Sequence, residues 1–257
     1  MVYPSAVKSP SSSGARTHAG PLLLAFCIGV GIMCIRAGFA VMYPAFAADL
    51  QLTTTEATGA YAMSMPIYAV AVIGAGVLLD RIGIRATMLI SLLVLTLGLV
   101  LAGLAQDLVQ LYLAWGVLIG VGMSGAGYVA NLKMLAVAAP QHIGLGLGVL
   151  SAGQGIGALL VSPAIQLMIE VGGWRFAQVG LGLFIGVLLI PLVLIAAPGR
   201  EPRDHQDETG GDSMLSAVRN QPVAFAWAFL ALAAMGFTLL LPTHQVAYLT
   251  SVGAPAI

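Results

Sequence analysis

The sequence is short of charge. Asp, Glu, Lys and Arg make up only 8% of its 257 residues, against about 25% in an average soluble domain. So few charges cannot cover a water-facing surface, which excludes an ordinary soluble enzyme, a nucleic-acid binder and a disordered protein. The charges also cancel, ten basic against ten acidic, so bulk charge points to no partner. Cysteine is nearly absent. Cys27 and Cys34 lie seven residues apart in one apolar run, about 10 Å of helical rise, too far for a disulfide between them. No CxxC, Cys/His cluster, HExxH, serine elbow or pair of intramembrane carboxylates occurs, so neither a metal site, a cofactor nor a membrane enzyme is indicated.

What the sequence has instead is apolar length. Hydrophobic residues make up 59% of it, and mean hydropathy is +0.98. A spanning helix needs about 20 mainly apolar residues. Seven such runs cover 21–46, 57–79, 87–105, 108–138, 144–170, 176–197 and 223–250. The long fourth and fifth runs imply tilt or extra turns at the interface. Charges fall almost entirely in the gaps: Asp49 and Glu56, then Asp80, Arg81 and Arg85, then Asp107, then Glu170 and Arg175. Residues 1–20, rich in Ser and Pro, read as a disordered tail. The first run is too long for the core of a signal peptide. Residues 198–222 form the one long polar linker.

Basic residues set the expected orientation. With the N-terminus in the cytoplasm, Lys8, Arg16, Arg81, Arg85, Arg200, Arg203 and Arg219 lie inside and only Arg175 outside. Six spans then return the chain to the cytoplasm, and a seventh leaves it. Six helices, a linker and one helix suggest the first half of a two-half transporter plus the start of the second. A seven-helix retinal protein is excluded, because the seventh run holds no lysine for a Schiff base.

Several polar residues fall inside these runs. Arg36 follows about 22 Å of helix from the start of the first run, near the bilayer midplane. An arginine there is costly unless it faces a polar cavity or a partner. No acidic residue inside a run can neutralise it. Either an anionic substrate balances the charge, since guanidinium pairs well with carboxylate, or carbonyls and hydroxyls of the bundle cap it. Lys133, close to the end of the fourth run, is explained by snorkelling to the headgroups, with substrate contact the second reading. His244, in the seventh run, suits either proton coupling or a bond at the interface. Tyr61, Ser64 and Tyr68 share one face of the second helix, and Ser151, Gln154, Ala158 and Ser162 one face of the fifth. Such stripes either line a cavity or bond helix to helix. Tyr128 and Gln154 join Arg36, Tyr61, Tyr68 and His244 as candidate substrate-binding residues. Glycines crowd the fourth helix (Gly116, Gly120, Gly122, Gly125, Gly127) and the fifth (Gly144, Gly146, Gly148, Gly153, Gly157), as expected where helix backbones approach closely.

The second gap reads GVLLDRIGIR, Gly76 to Arg85. It resembles the loop signature G-x-L-x-D-R-x-G-R-R/K between helices 2 and 3 of the major facilitator superfamily. Gly76, Leu78, Asp80, Arg81, Gly83 and Arg85 match, and Ile84 replaces a usual basic residue. LYLAWGVLIGVGMSGAGY (111–128), GLGLGVLSAGQGIGALLVSP (144–163), GGWR (172–175) and THQVAYLTSVGAPA narrow the likeness to the monocarboxylate-transporter-like branch. The resemblance implies that Gly76, Asp80, Arg81, Gly83 and Arg85 form a conformational latch, with Asp80 capping a helix start or pairing with arginines of neighbouring helices. It also implies an arginine at Arg36 and a histidine at His244 as common bacterial features. There are departures. The basic cluster before the fifth helix is replaced by Gln141, His142 and Ile143, and the antiporter glycine–proline motif is missing, which argues against drug export.

The expectation is therefore an all-α membrane protein: the six-helix N-terminal bundle of the major facilitator fold (21–197) plus one helix of an incomplete C-terminal half (223–257). It would lie as a multi-pass protein in the inner, or plasma, membrane. Its expected function is alternating-access secondary transport of a small organic anion such as a carboxylate, with a coupling proton or other ion. The partners would be that substrate and the lipid bilayer. Family members have twelve helices, so the chain reads as a fragment. Drug efflux and a non-transporting membrane sensor are the alternatives.

Overall fold

The computed structural model describes residues 14–199 and the isolated positions 223, 227 and 230. Residues 1–201 form one compact unit and 202–257 a second. The described part of the first unit is built of helices joined by short turns. Most of the expected linker and seventh span, with His244, lies outside the described residues, and positions 223, 227 and 230 are helical.

Helix α1 runs over Gly14–Asp49, so helix begins within the stretch 1–20. Helix α2 is Thr54–Arg81 and α3 is Ile84–Gly103. Helix α4 covers Leu108–Ala138 with two irregularities described below. Residues Ile143–Ala196 are helical except at Gly173, where φ is 77° and ψ 175°. That backbone breaks the helix into α5 (143–172) and α6 (174–196). At 1.5 Å per residue an unbroken helix of 54 residues would be about 81 Å long, far beyond a bilayer core of about 30 Å. The break at Gly173 thus yields six apolar helices of spanning length, as the positions of Glu170 and Arg175 suggest.

Local chemistry sets the helix ends. Thr53 and Glu56 form a capping box at the start of α2: the Thr53 side chain accepts from the Glu56 N–H at 3.3 Å, and the Thr53 N–H donates to Glu56 Oε2 at 2.8 Å. This satisfies donors that the first turn leaves unpaired. Asp107 caps α4 by accepting from the Gln110 N–H at 2.8 Å. Gly83, between α2 and α3, has φ of 90°, a region that glycine enters without steric penalty.

Each helix turns one stripe inward. In α1 the stripe is Leu24, Ile28, Ile35, Phe39, Met42 and Phe46, all buried, at the three- and four-residue spacing of a single helical face. Met88, Leu92, Leu95, Leu99 and Ala102 do the same for α3, and Leu181, Ile185, Leu189 and Val193 for α6. Helix α2 buries little beyond Ala57, Ala60, Ser64, Ala75 and Leu79.

Glycine permits the closest crossings. A Cβ on Gly29 of α1 would sit 2.2 Å from the carbonyl oxygen of Leu150 in α5, and one on Gly153 would sit 2.3 Å from that of Phe26. In α4, a Cβ on Gly122 would lie 2.6 Å from Cα of Leu95 in α3. The glycine-packing expectation does not extend to Gly144 and Gly148. Both are on the exposed side of α5, with no heavy atom within 4 Å of a built Cβ. The helical period places Gly146, Gly153 and Gly157 on the packed side instead.

Helix α4 is uniformly apolar in sequence yet irregular in form. Residues Tyr112–Ile119 wind as a π-helix. At Gly127 (φ −77°, ψ −153°) the helix breaks before resuming at Tyr128–Ala138. Asn131, fully buried, repairs the break: its amide nitrogen donates to the carbonyls of Ala126 at 3.0 Å and Gly127 at 2.8 Å. At Ala126 the side-chain donor replaces backbone bonding that lipid could not supply, while the Gly127 carbonyl also accepts the Asn131 backbone N–H at 3.2 Å.

Candidate functional site

Arg36 lies midway along α1, immediately after Ile35 of the buried stripe, and its side chain is exposed. Its Nε–H donates to the Tyr61 hydroxyl of α2 at 3.4 Å. Tyr61 leans on an aromatic wall. Its ring stacks on Phe39 at 5.0 Å between centroids and lies 6.5 Å from Trp115 of α4. Phe39 meets Trp115 edge-on at 4.7 Å, and both are buried. Tyr68 lies two turns further along α2. Arg36 and Tyr61 are therefore brought together by the α1–α2 contact.

The other expected residues are spread more widely. Tyr128 is exposed and begins the second part of α4. It is next to Gly127, where a built Cβ would lie 3.4 Å from the Tyr68 hydroxyl. Gln154 lies at the α1–α5 crossing, its backbone nitrogen 3.2 Å from a built Cβ at Gly29. That is seven residues from Arg36, about 10 Å of rise. Ser64, grouped with the two tyrosines by spacing, is buried, and its hydroxyl donates to the Tyr61 carbonyl at 2.6 Å. The hydroxyl thus serves the backbone of its own helix.

The loop from Gly76 to Arg85 is pinned at both edges. Asp80, at the end of α2, forms an ion pair with Lys133 of α4. Lys133 therefore does more than reach for headgroups, and the partner of Asp80 here is a lysine. The start of α3 is capped by Gly83 without a side-chain bond, so Asp80 does not cap it. Arg85 donates from Nε at 3.0 Å and from Nη2 at 2.6 Å to the carbonyl of Ala197, just beyond α6. An arginine bonding a carbonyl at a helix C-terminus also faces the negative end of that helix dipole.

A second polar cluster closes the opposite end of the bundle. Asp49, the last residue of α1, pairs with Arg175 and accepts from the Trp174 indole N–H at 3.2 Å. The Arg175 guanidinium lies 4.4 Å over the Trp174 ring and donates to the Ala105 carbonyl at 3.2 Å. The GGWR segment thus ties α1, α3 and α6 together.

Sequence reasoning missed the pairing of Lys133 with Asp80 and the role of Asn131. The signal for the first was available: alternating helix direction puts the end of α2 and the end of α4 on one side of the bundle. The signal for Asn131 was a lone amide four residues after a glycine in an apolar run.

The profile described as Major Facilitator Superfamily matches residues 22–257. Monocarboxylate transporter 12 of Rattus norvegicus is 27% identical over 215 residues, covering 81% of this chain and 43% of that protein. Monocarboxylate transporter 11 of Homo sapiens is 34% identical over 129 residues, 48% of this chain and 27% of that protein. Monocarboxylate transporter 3 of Mus musculus is 37% identical over 113 residues, 44% of this chain and 22% of that protein. The chain thus spans less than half the length of the curated relatives it matches. With the profile match over most of its length and its apolar spanning helices, this chain is a multi-pass membrane protein that belongs to the Major Facilitator Superfamily, among its monocarboxylate-transporter-like members.

Proposed function

We propose that the protein carrying this chain is a secondary transporter of small organic anions, carboxylates above all, and that Arg36 is the anion's partner. The supporting observation is a contrast among cations. Lys133 and Arg175 each pair with a carboxylate of the chain. Arg36, at mid-helix and on an exposed face, gives its hydrogen bond to a neutral phenol. A guanidinium in that setting retains its full attraction for an incoming carboxylate. The names of the relatives, monocarboxylate transporters, point to the same substrate class.

Transport would proceed by alternating access, with substrate at mid-depth and rocking of helix bundles around it. The segment from Gly76 to Arg85 would set the balance between states, through the Asp80–Lys133 pair and the bond from Arg85 to Ala197. A proton is the proposed coupling ion. The end bearing Arg81, Arg85 and Lys133 would face the cytoplasm. The opposite end carries Asp49, Glu56, Asp107 and Glu170 with the single cation Arg175, an asymmetry that fits the positive-inside rule.

The test is uptake of labelled short-chain carboxylates into proteoliposomes under an imposed proton gradient. Wild-type protein should accumulate them, and Arg36→Ala should not. Export of hydrophobic cations without carboxylate uptake would favour drug efflux. Specific binding without accumulation would favour a sensor.

A further inference from the structure

We propose that Tyr61 is a positioning residue that aims Arg36, a role that rests on reading Arg36 as the carboxylate's partner. A guanidinium offers two edges for paired hydrogen bonds, one through Nε and one Nη, the other through both Nη atoms. The Tyr61 hydroxyl occupies the Nε–H at 3.4 Å. The edge that remains for a carboxylate is the terminal one, where Nη1 and Nη2 take one oxygen each.

The tyrosine can hold this orientation because it is itself held. Its ring stacks on Phe39 at 5.0 Å with an interplanar angle of 30°. Phe39 packs edge-on against Trp115 at 4.7 Å. Phe39 is 5% exposed and Trp115 is 1% exposed, so neither can swing away without opening the core. Trp115 also lies within the π-helical segment Tyr112–Ile119. Extra residues in a turn re-aim side chains, and π-turns are frequent at functional sites. The line of support therefore runs from the π-turn of α4 through Trp115 and Phe39 to Tyr61, and from Tyr61 to the guanidinium. The hydroxyl acts on Arg36, and of these two residues it is Arg36 that meets the substrate.

Tyr61→Phe removes the hydroxyl and keeps the stacked ring, so the wall stays in place. In whole protein reconstituted into liposomes, the KM for short-chain carboxylates should rise about three- to tenfold, the scale of one ordinary hydrogen bond. Vmax should stay within about twofold, because the bond is made before substrate arrives. In an Arg36→Lys background, which has no Nε–H to hold, Tyr61→Phe should add nothing further. The 15N resonance of the Arg36 Nε–H, read in protein with labelled arginine, should shift on Tyr61→Phe without substrate present. An unmoved resonance would overturn the proposal. A Tyr61→Phe effect that persists in the lysine background would also overturn it, because the hydroxyl would then touch the substrate directly. If Arg36→Lys and Arg36→Ala both transport like wild type while the resonance still shifts, the carboxylate reading of Arg36 fails and not the contact.

Discussion

Gly153→Ala tests the packing argument most sharply. A Cβ at Gly153 would stand 2.3 Å from the carbonyl oxygen of Phe26 and 3.1 Å from its carbonyl carbon. Ordinary contact begins near 3.4 Å. Both obstructing atoms belong to the backbone of α1, so no side chain can rotate to make room, and the two helices must part by about 1 Å. Overpacking of this kind costs about 1–3 kcal/mol. Exchange of glycine for alanine inside a helix returns about 1 kcal/mol. The net expected loss is about 0–2 kcal/mol, a fall in Tm of up to about 8 °C for a chain of this size, and about 1–3 kcal/mol relative to an alanine that meets no obstruction. Gly155→Ala is the internal control, two residues along the same helix and with nothing within 4 Å of a built Cβ. It should be neutral or slightly stabilising. Gly29→Ala should resemble Gly153→Ala, because its Cβ would meet the Leu150 carbonyl oxygen at 2.2 Å. The double variant should lose less than the sum, since one alanine already opens the crossing. Thermal unfolding in detergent, followed by circular dichroism, reads all four. Equal melting of the Gly153→Ala and Gly155→Ala proteins would refute the close crossing of α1 and α5.

Three further outcomes are expected. Gly83→Ala forces a Cβ into a backbone with φ of 90° and should destabilise by about 1–2 kcal/mol in the same melt. An unchanged Tm would mean that the α2–α3 turn has another shape. Lys133→Asp sets two carboxylates together and should impair transport, while Lys133→Asp with Asp80→Lys should recover it. No recovery would remove the Asp80–Lys133 pair from the account of the latch. Asn131→Leu leaves the carbonyls of Ala126 and Gly127 without their side-chain donor. It should cost about 1–3 kcal/mol and speed hydrogen exchange near Gly127, and wild-type exchange there would contradict the repair role of Asn131.

How much of this was legible in the sequence depends on whether a feature is local. The six spans and the split near Glu170 and Arg175 follow from hydropathy and charge alone, because lipid penalises every charge within a run. The second run was expected from 57, and the helix starts earlier, at Thr54, because Thr53 and Glu56 form a capping box. The irregularity of α4 was hidden, since YLAWGVLI and GVGMSGAGY are apolar throughout and hydropathy cannot tell an α-turn from a π-turn. Glycine abundance marked α4 and α5 as closely packed helices but did not separate the exposed Gly144 and Gly148 from the buried Gly146, Gly153 and Gly157, because composition does not say which side a neighbour occupies. Arg36 was conspicuous as a charge in an apolar run. Its contact with Tyr61 joins residues 25 apart in sequence, and the pairing of Asp80 with Lys133 spans 53. Such pairs depend on how helices cross, which periodicity alone does not encode.

The central claim is that Arg36 binds the transported anion, and one measurement meets it directly. Initial uptake of a labelled short-chain carboxylate is compared in proteoliposomes holding equal amounts of folded wild-type and Arg36→Ala protein. Loss of a charge-paired contact of this kind is worth about 2–5 kcal/mol, so uptake at low substrate should fall by roughly 30-fold or more. Arg36→Ala protein that melts like wild type and takes up the carboxylate at the wild-type rate would contradict the account.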